Sequence, residues 1–320
     1  MIRVSTLLFS AVALAALALP IFEATAQQQV PPAATPAAAP VFPKPDPASF
    51  TAATPTKEAI NAFLQASWGY DDGRTWQVQA ILRTQAEGIS KVVLLVGDKS
   101  GKQKPSEVHF YALPDGKHII AADQILSFGE HPFAERRALL QQKADGPYRG
   151  SDSKELEIVE FSDFQCPHCK DARASMDRLS ADFPKARIVF QNYPLPQHPA
   201  AARAATYGVC VANQGGSKAF FQFASAVYEG QDGLAAAAGV TLTLNNAVTK
   251  AGLDPAKVAA CAATPETTTT VDATVKLAKD LDIEQTPTLM INGRPVPANA
   301  PYETLKQIIN YQEKLDGIAP

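Results

Sequence analysis

A buried strand that leads directly into two cysteines and a helix constrains this chain more than any other feature. The run from Glu160 to Lys170 reads EFSDFQCPHCK, and the apolar stretch 156–161 is typical of a buried strand. A helical segment and a second strand, 186–191, follow. The pattern therefore places Cys166 and Cys169 where a strand passes into the N-terminus of a helix.

That position favours the ionised form of a cysteine. Unpaired backbone N–H groups and the positive end of the helix dipole stabilise a thiolate relative to a thiol. Cys166 is predicted to occupy the exposed first position, and Cys169, one turn further, to be more buried and less reactive. Pro167 suits the first turn because it needs no N–H there, and a protonated His168 adds positive charge near the sulfur. The pair is predicted to exchange a disulfide with substrate thiols through Cys166.

A Cys-x-x-Cys pair alone also fits a structural disulfide loop or one half of a zinc site. Zinc needs two further ligands at compatible spacing, and the sequence contains neither a second Cys-x-x-Cys nor a His pair three to five residues apart. The strand-to-helix placement and the downstream proline Pro287 favour redox chemistry. We expect no metal and no cofactor.

The first residues decide which compartment's redox chemistry applies. Arg3 precedes an uncharged apolar stretch over 7–19, and 24–26 are small residues suited to cleavage, as in a secretory signal peptide of residues 1–26. The stretch is shorter than the roughly 20 residues of a membrane span. We therefore expect a periplasmic or secreted protein. A net charge of -3 without a basic stripe argues against nucleic acid as a partner.

Composition and periodicity divide the rest of the chain into a linker and two folded parts. Proline and alanine dominate the linker, and alternating apolar residues in the first folded part predict one helix with three or four antiparallel strands. Thr54 and Pro55 are the predicted cap and first residue of that helix. The predicted segments are a linker, 27–54; a small α+β domain, 55–125; a linker helix, 126–152; and a second domain, 153–320, with a helical insert over about 196–281.

The motifs of the second domain resemble those of the DsbA-like thioredoxin-fold proteins. The run EFSDFQCPHCK is similar to their active-site segment, and Ile283–Arg294 (IEQTPTLMINGR) to their cis-proline strand, which makes Pro287 the predicted cis-proline. The resemblance covers about 153–318. It implies an α/β thioredoxin fold with an inserted helical domain, here preceded by a small α+β domain. It also implies a disulfide oxidoreductase whose partners are reduced or misfolded exported proteins and a redox protein that resets the active site.

The resemblance assigns further residues to the site. Thr286, before Pro287, would offer an exposed backbone to an extended substrate segment by strand addition. Glu160 matches the family's buried acid beneath the active site. A solvent-facing strand residue is the alternative for Glu160.

The two remaining cysteines, Cys210 and Cys261, lie on predicted helices of the insert. Once Cys166 and Cys169 form a local pair, one long-range pair is the simplest arrangement in an exported protein. The positions resemble the structural second disulfide of some DsbA-like proteins, and we predict this bridge. It would close about 50 residues and stabilise the fold by roughly 4 kcal/mol. Two free buried cysteines are the alternative.

The direction of electron flow stays open at this point. Pro114–Ile120 (PDGKHII) is similar to a segment of the N-terminal dimerisation domain of DsbC-like isomerases, and Thr286 also resembles these proteins. The Cys-Pro-His-Cys core and the large insert favour a DsbA-like oxidase instead. The alternatives are a dimeric isomerase or reductase, a homodimer through 55–125, and a chaperone-like client-binding protein with secondary redox activity.

Overall fold

The structure is a computed structural model that describes residues 42–318. The predicted signal peptide, 1–26, and the first part of the predicted linker, 27–41, lie outside the described residues. Within the described range, no helix combines the length and the apolar character that crossing a membrane requires.

The N-terminal part is one helix packed on an antiparallel sheet whose five strands follow one another in chain order. Its elements are α1 Lys57–Trp68, β1 Arg74–Arg83, β2 Ser90–Asp98, β3 Ser106–Ala112, β4 His118–Ala121 and β5 Gln124–Ser127. Alternate residues of the strands pack against Ile60, Phe63 and Leu64 of α1. The prediction of three or four strands missed β5, because four residues are too few for an alternation signal. This strand crosses the predicted boundary at residue 125.

The first helix begins later than predicted. Thr56, rather than Thr54, is its N-cap, and the Thr56 hydroxyl accepts a hydrogen bond of 3.2 Å from the backbone N–H three residues on. The peptide bond between Thr54 and Pro55 is cis, and Pro55 precedes the helix instead of opening it. The end of the predicted linker is also part of this fold, since Phe50 forms a parallel bridge with Ile81 of β1.

The second part is a mixed sheet of five strands with helices on both faces. Its elements are α2 Ala134–Lys143, β6 Tyr148–Gly150, β7 Glu157–Ser162, α3 Pro167–Asp182, β8 Arg187–Asn192, α4 Ala201–Glu229, α5 Ala237–Lys250, α6 Pro255–Ala262, α7 Pro265–Asp280, β9 Thr288–Ile291, β10 Arg294–Pro297 and α8 Tyr302–Leu315. The strand order is β10-β9-β7-β8-β6, with β7 parallel to β8 and the other neighbours antiparallel. This is the predicted thioredoxin fold.

The central strand β7 is buried along its whole length. Ile158 packs with residues of α3 and α8 on one face of the sheet. Val159 and Phe161 pack with residues of α2 and α7 on the other. A strand covered on both faces is a near-continuous apolar run, which is why the sequence pattern identified it.

Helices α4 to α7 form the insert between β8 and β9. Gly216, with a φ of 71°, divides α4 into two helical segments, as glycine's freedom at positive φ allows. The insert core contains Phe220 and Phe223, and both rings contact Phe164 in the loop between β7 and α3. The insert therefore packs directly on the loop that leads to the two cysteines.

A buried arginine holds the N-terminal part against the second part. Arg294 of β10 is only 4% exposed, and its guanidinium donates to the carbonyl oxygens of Ala66 at 2.5 Å and Ser67 at 2.8 Å. Its Nε donates to the Gln312 side chain of α8 at 2.9 Å. The last carbonyls of a helix have no partners within the helix, so Arg294 caps α1 from the other sheet.

Replacing Arg294 with methionine should lower the free energy of unfolding by about 2 kcal/mol, because buried carbonyl groups lose their donors. Urea denaturation measures this loss, and limited proteolysis between α1 and β1 should become faster. Arg203→Met, at an exposed position of α4, is the matched control. Equal stability of the two variants would show that Arg294 does not hold the two parts together.

Candidate active site

The end of β7 and the start of α3 place the two thiols side by side. Cys166 is the N-cap residue of α3 and Pro167 follows in its first turn. The backbone N–H of Cys169 donates to the Cys166 carbonyl at 3.2 Å, and both cysteines are free thiols. The prediction that Cys166 is exposed is wrong: it is 4% exposed and Cys169 is fully buried, because both pack in the core of the insert. Pro167 and His168 are exposed.

The two thiols have opposite electrostatic environments. A hydrogen bond from the Cys169 thiol lowers the pKa of Cys166 to about 5. Burial opposes this shift, while Thr286 and the backbone N–H groups of Cys169 and His168 add to it. Burial and the hydrogen bond to Cys166 raise the pKa of Cys169 instead. At neutral pH the pair therefore holds one thiolate, on Cys166, and one thiol, on Cys169.

The ultraviolet absorbance of the Cys166 thiolate should titrate with a midpoint near pH 5, far below the ordinary thiol value of 9.0. The disulfide form of the protein provides the baseline. Since the folded pKa is lowered, the thiolate stabilises the folded reduced chain fully above about pH 9, and this stabilisation falls as the pH decreases towards 5. A midpoint near the ordinary thiol value would contradict the assigned environment.

Two residues directly before β9, Thr286 and Pro287, complete the site. The peptide bond between Thr286 and Pro287 is cis, and the Cys166 thiol donates to the Thr286 carbonyl at 3.5 Å. Thr286 is 7% exposed, so the expectation of an exposed backbone is wrong; the exposed neighbours are Glu284 and Gln285. The buried Thr286 hydroxyl has no partner within residues 42–318 and can donate to the thiolate when Cys166 ionises.

Glu160 lies inside the protein beneath the cysteines. It is 7% exposed, so the alternative of a solvent-facing strand residue is wrong. Burial raises the pKa of its carboxyl group, whereas a hydrogen bond with Ser162 and the charges of Arg149 and Arg173 act in the opposite direction. A buried carboxyl group with a raised pKa is a candidate proton acceptor and donor.

Two glutamine side chains, Gln231 of the insert and Gln165 of the loop between β7 and α3, join the insert to that loop, and sequence reasoning missed both. The Gln231 amide donates to the carbonyl oxygens of Phe164 at 3.0 Å and Cys166 at 2.9 Å. The Gln165 side chain accepts from the Ala200 N–H at 2.7 Å. These bonds fix the loop that carries Cys166. Gln231 lies 65 residues from Cys166 in sequence, and no motif connects the two.

A buried acid ties the same loop to the segment after β8. Asp163 accepts from the backbone N–H of Leu195, and its Oδ2 lies 2.8 Å from Nδ1 of His198. The Asp163 N–H donates to the Cys169 sulfur at 3.4 Å. No sequence motif connects His198 with Asp163, which lies 35 residues away.

The remaining cysteines form a disulfide within the insert. Cys210 of α4 and Cys261 of α6 are joined, with a Cα–Cα distance of 5.9 Å. They lie in the same insert whose aromatic residues pack on Phe164. Among residues 42–318, no group of three or more His, Cys, Asp or Glu side chains is arranged to hold a metal ion.

The site has the arrangement expected of a thioredoxin-fold protein: two neighbouring thiols at a strand-to-helix junction, one of low pKa and one of high pKa, beside a cis-proline. A family model described as thioredoxin matches residues 142–311, more than half of the chain, and the chain belongs to this family. The predicted family and thioredoxin fold are confirmed. The match leaves the N-terminal sheet outside, so the similarity of that part to a DsbC-type dimerisation domain stays a prediction.

Two kinds of similar protein accompany the family match. Among curated proteins, the Na(+)/H(+) antiporter NhaA 3 of Salinispora tropica is 33% identical over 87 residues and NhaA 1 of Salinispora arenicola is 35% identical over 68 residues. These matches cover 27% and 21% of this chain and only 13% and 10% of the antiporters. The chain thus spans a small part of these relatives' length.

The solved structures similar to this chain include the following three. A thioredoxin-like oxidoreductase of Silicibacter pomeroyi is 25% identical, with a TM-score of 0.48 over 56% of this chain and 98% of that protein. The catalytic domain of ScsC from Proteus mirabilis is 19% identical, with a TM-score of 0.46 over 56% and 98%. BdbD from Bacillus subtilis is 20% identical, with a TM-score of 0.44 over 53% and 93%.

Proposed function

We propose that this protein is an extracytoplasmic thiol–disulfide oxidoreductase that introduces or reshuffles disulfides in exported proteins through its Cys-Pro-His-Cys centre. The observation that carries the proposal is the asymmetry of the two thiols, a Cys166 pKa of about 5 beside a raised Cys169 pKa. The signal-peptide pattern in the first 26 residues supports the compartment. Clients are reduced or misfolded exported proteins, and a redox partner restores the disulfide.

The reaction proceeds through a mixed disulfide. A client thiolate attacks the Cys166 sulfur of the oxidised enzyme, and the Cys166–Cys169 bond breaks with the electron pair going to Cys169. A second client thiolate then attacks the client sulfur of the mixed disulfide, so the client leaves oxidised and Cys166 leaves as a thiolate. When Cys169 attacks Cys166 instead, the client leaves reduced and the enzyme disulfide forms again.

The environment of Cys166 favours the oxidising direction. Stabilising its thiolate stabilises the reduced enzyme, and this makes the enzyme disulfide a stronger oxidant. The hydrogen bond from the Cys169 thiol supplies most of this stabilisation, and Thr286 and the backbone amides of Cys169 and His168 add to it.

Two ribonuclease assays test the proposal and separate its versions. The oxidised protein should restore activity to reduced ribonuclease within a few turnovers when glutathione disulfide is present. An isomerase would act on scrambled ribonuclease more effectively than on the reduced form. No acceleration in either assay would remove the proposed function.

An apolar cavity supports a second candidate function, the chaperone-like binding of clients. The cavity has a volume of about 610 Å³ and lies between the N-terminal sheet and the segment before Thr286; its lining includes Phe63, Phe110, Leu126 and Ile283. A client-binding protein would keep its suppression of aggregation in the Cys166→Ser variant, whereas an oxidoreductase would lose turnover. A homodimer through residues 55–125 belongs to the isomerase version, and a monomeric mass by light scattering would remove it.

A further inference from the structure

A short turn of the insert reaches the backbone of the reactive cysteine. The turn is the 3₁₀-helical segment Gln231–Leu234 between α4 and α5. The Gln231 side chain is 8% exposed, and its amide donates to the Cys166 carbonyl at 2.9 Å and to the Phe164 carbonyl at 3.0 Å. The insert therefore contacts the peptide group of Cys166 and does not only cover its side chain.

The turn itself is held on both sides. Leu234 is 1% exposed and lies in the hydrophobic core of the insert. Gly233 lies against α5, where any side chain at this position would press on the Thr243 hydroxyl. From the active-site side, the Gln165 amide donates to the Leu234 carbonyl at 3.2 Å. These contacts fix the place from which Gln231 donates.

The Cys166 carbonyl lies at the start of α3. Cys166 has an extended backbone, with φ of -73° and ψ of 122°, and its carbonyl also accepts from the N–H groups of Cys169 at 3.2 Å and Lys170 at 3.3 Å. The bond from Gln231 is the shortest of the three. The Cys166 N–H donates to the Asp163 carbonyl at 3.1 Å. Hydrogen bonds thus hold both sides of the Cys166 Cα, and an extended residue at this position places its side chain over the first N–H groups of the helix.

We propose that Gln231 is a positioning residue that sets the reactivity of Cys166 by holding its carbonyl group. The inference rests on the proposed function, because it concerns the thiolate that exchanges with client thiols. Gln231 acts through the peptide group of Cys166 and not on the sulfur itself. Neither the Cys-Pro-His-Cys motif nor the cis-proline strand contains this residue, so the inserted domain takes part in the chemistry of the site.

The loss of the amide has a direct consequence for the thiolate. The carbonyls of Phe164 and Cys166 lose a donor, and the Cys166 peptide becomes free to turn. The Cys169 thiol and Thr286 lower the pKa of Cys166 most, and the backbone N–H groups of Cys169 and His168 add to this effect. A turned peptide moves the sulfur away from these N–H groups. The thiolate then becomes less stable, and the enzyme disulfide becomes a weaker oxidant.

Gln231→Met in the full chain tests the inference, since it keeps the side-chain length and removes the donor. The midpoint of the Cys166 thiolate absorbance should rise by about one pH unit, as expected when hydrogen bonds to a charged form are lost. Above both midpoints, one unit is a tenfold change in equilibrium. Half-reduction by glutathione should therefore need an about tenfold higher ratio of squared reduced to oxidised glutathione. Gln222→Met, at an exposed position of α4, is the matched control and should change neither value.

Unfolding of the two redox forms separates positioning from a structural role. If Gln231 stabilises the thiolate, Gln231→Met should lower the folding equilibrium constant of the reduced form about tenfold more than that of the disulfide form at pH 7. A residue that only holds the loop would lower both constants equally and leave the thiolate midpoint unchanged. That result would overturn the inference.

The wild type provides a test that does not depend on how the variant folds. The nuclear magnetic resonance signals of the Gln231 side-chain amide should shift with the midpoint of the Cys166 thiolate, near pH 5, and again when the Cys166–Cys169 disulfide forms. The Gln222 amide signals should respond to neither change. Gln231 signals that also respond to neither would overturn the inference. A wild type whose two thiols never form a reversible disulfide would contradict the proposed function instead.

Discussion

Replacing Cys166 with serine should reduce thiol–disulfide exchange to the rate of the redox buffer alone. Within residues 42–318, Cys166 is the one thiol whose pKa is lowered, and a hydroxyl cannot form the mixed disulfide. Oxidation of reduced ribonuclease measures the loss. Retained turnover would place the reactive sulfur elsewhere.

Cys169→Ser is the matched variant, because it keeps the nucleophile and removes the resolving thiol. It should accumulate a covalent adduct with a client protein, visible on a non-reducing gel and abolished by a reductant. The adduct should map to Cys166. An adduct in the Cys166→Ser variant instead would reverse the roles assigned to the two cysteines.

The second large effect concerns the disulfide of the insert. Replacing both Cys210 and Cys261 with alanine should lower the free energy of unfolding by about 4 kcal/mol, the value that chain entropy gives for a closed loop of this length. The two residues are 51 positions apart and join α4 to α6. Urea denaturation measures the difference. The Cys166→Ala, Cys169→Ala double variant, which keeps the Cys210–Cys261 bridge, is the control, and a loss below about 1 kcal/mol would contradict this role.

Local patterns were enough to predict the elements that position the site. The apolar run of β7, the helix behind Cys166 and the helical insert each carry a periodic signal in their own residues. The chemistry of a Cys-x-x-Cys pair at a helix N-terminus also follows from local geometry. The short strand β5 carried no such signal, because it has four residues. The turn before it, through Ala122 and Asp123, also contains no glycine that would mark it.

Long-range contacts account for what the sequence did not show. Cys166 is buried because residues of the insert cover it, and Gln231 reaches its carbonyl from 65 positions away. The cap that Arg294 gives to α1 joins residues more than 200 positions apart. Spacing along the chain contains no information on such pairs, because only the complete fold brings them together.

The central claim is that Cys166 and Cys169 form a reversible redox pair. Equilibrating the protein with mixtures of reduced and oxidised glutathione, and then mapping its disulfides by mass spectrometry, tests this claim most directly. The predicted result is a Cys166–Cys169 disulfide that forms and disappears reversibly while Cys210–Cys261 persists, with a midpoint closer to about -120 mV than to about -270 mV. Two thiols that remain reduced in every mixture would contradict the claim.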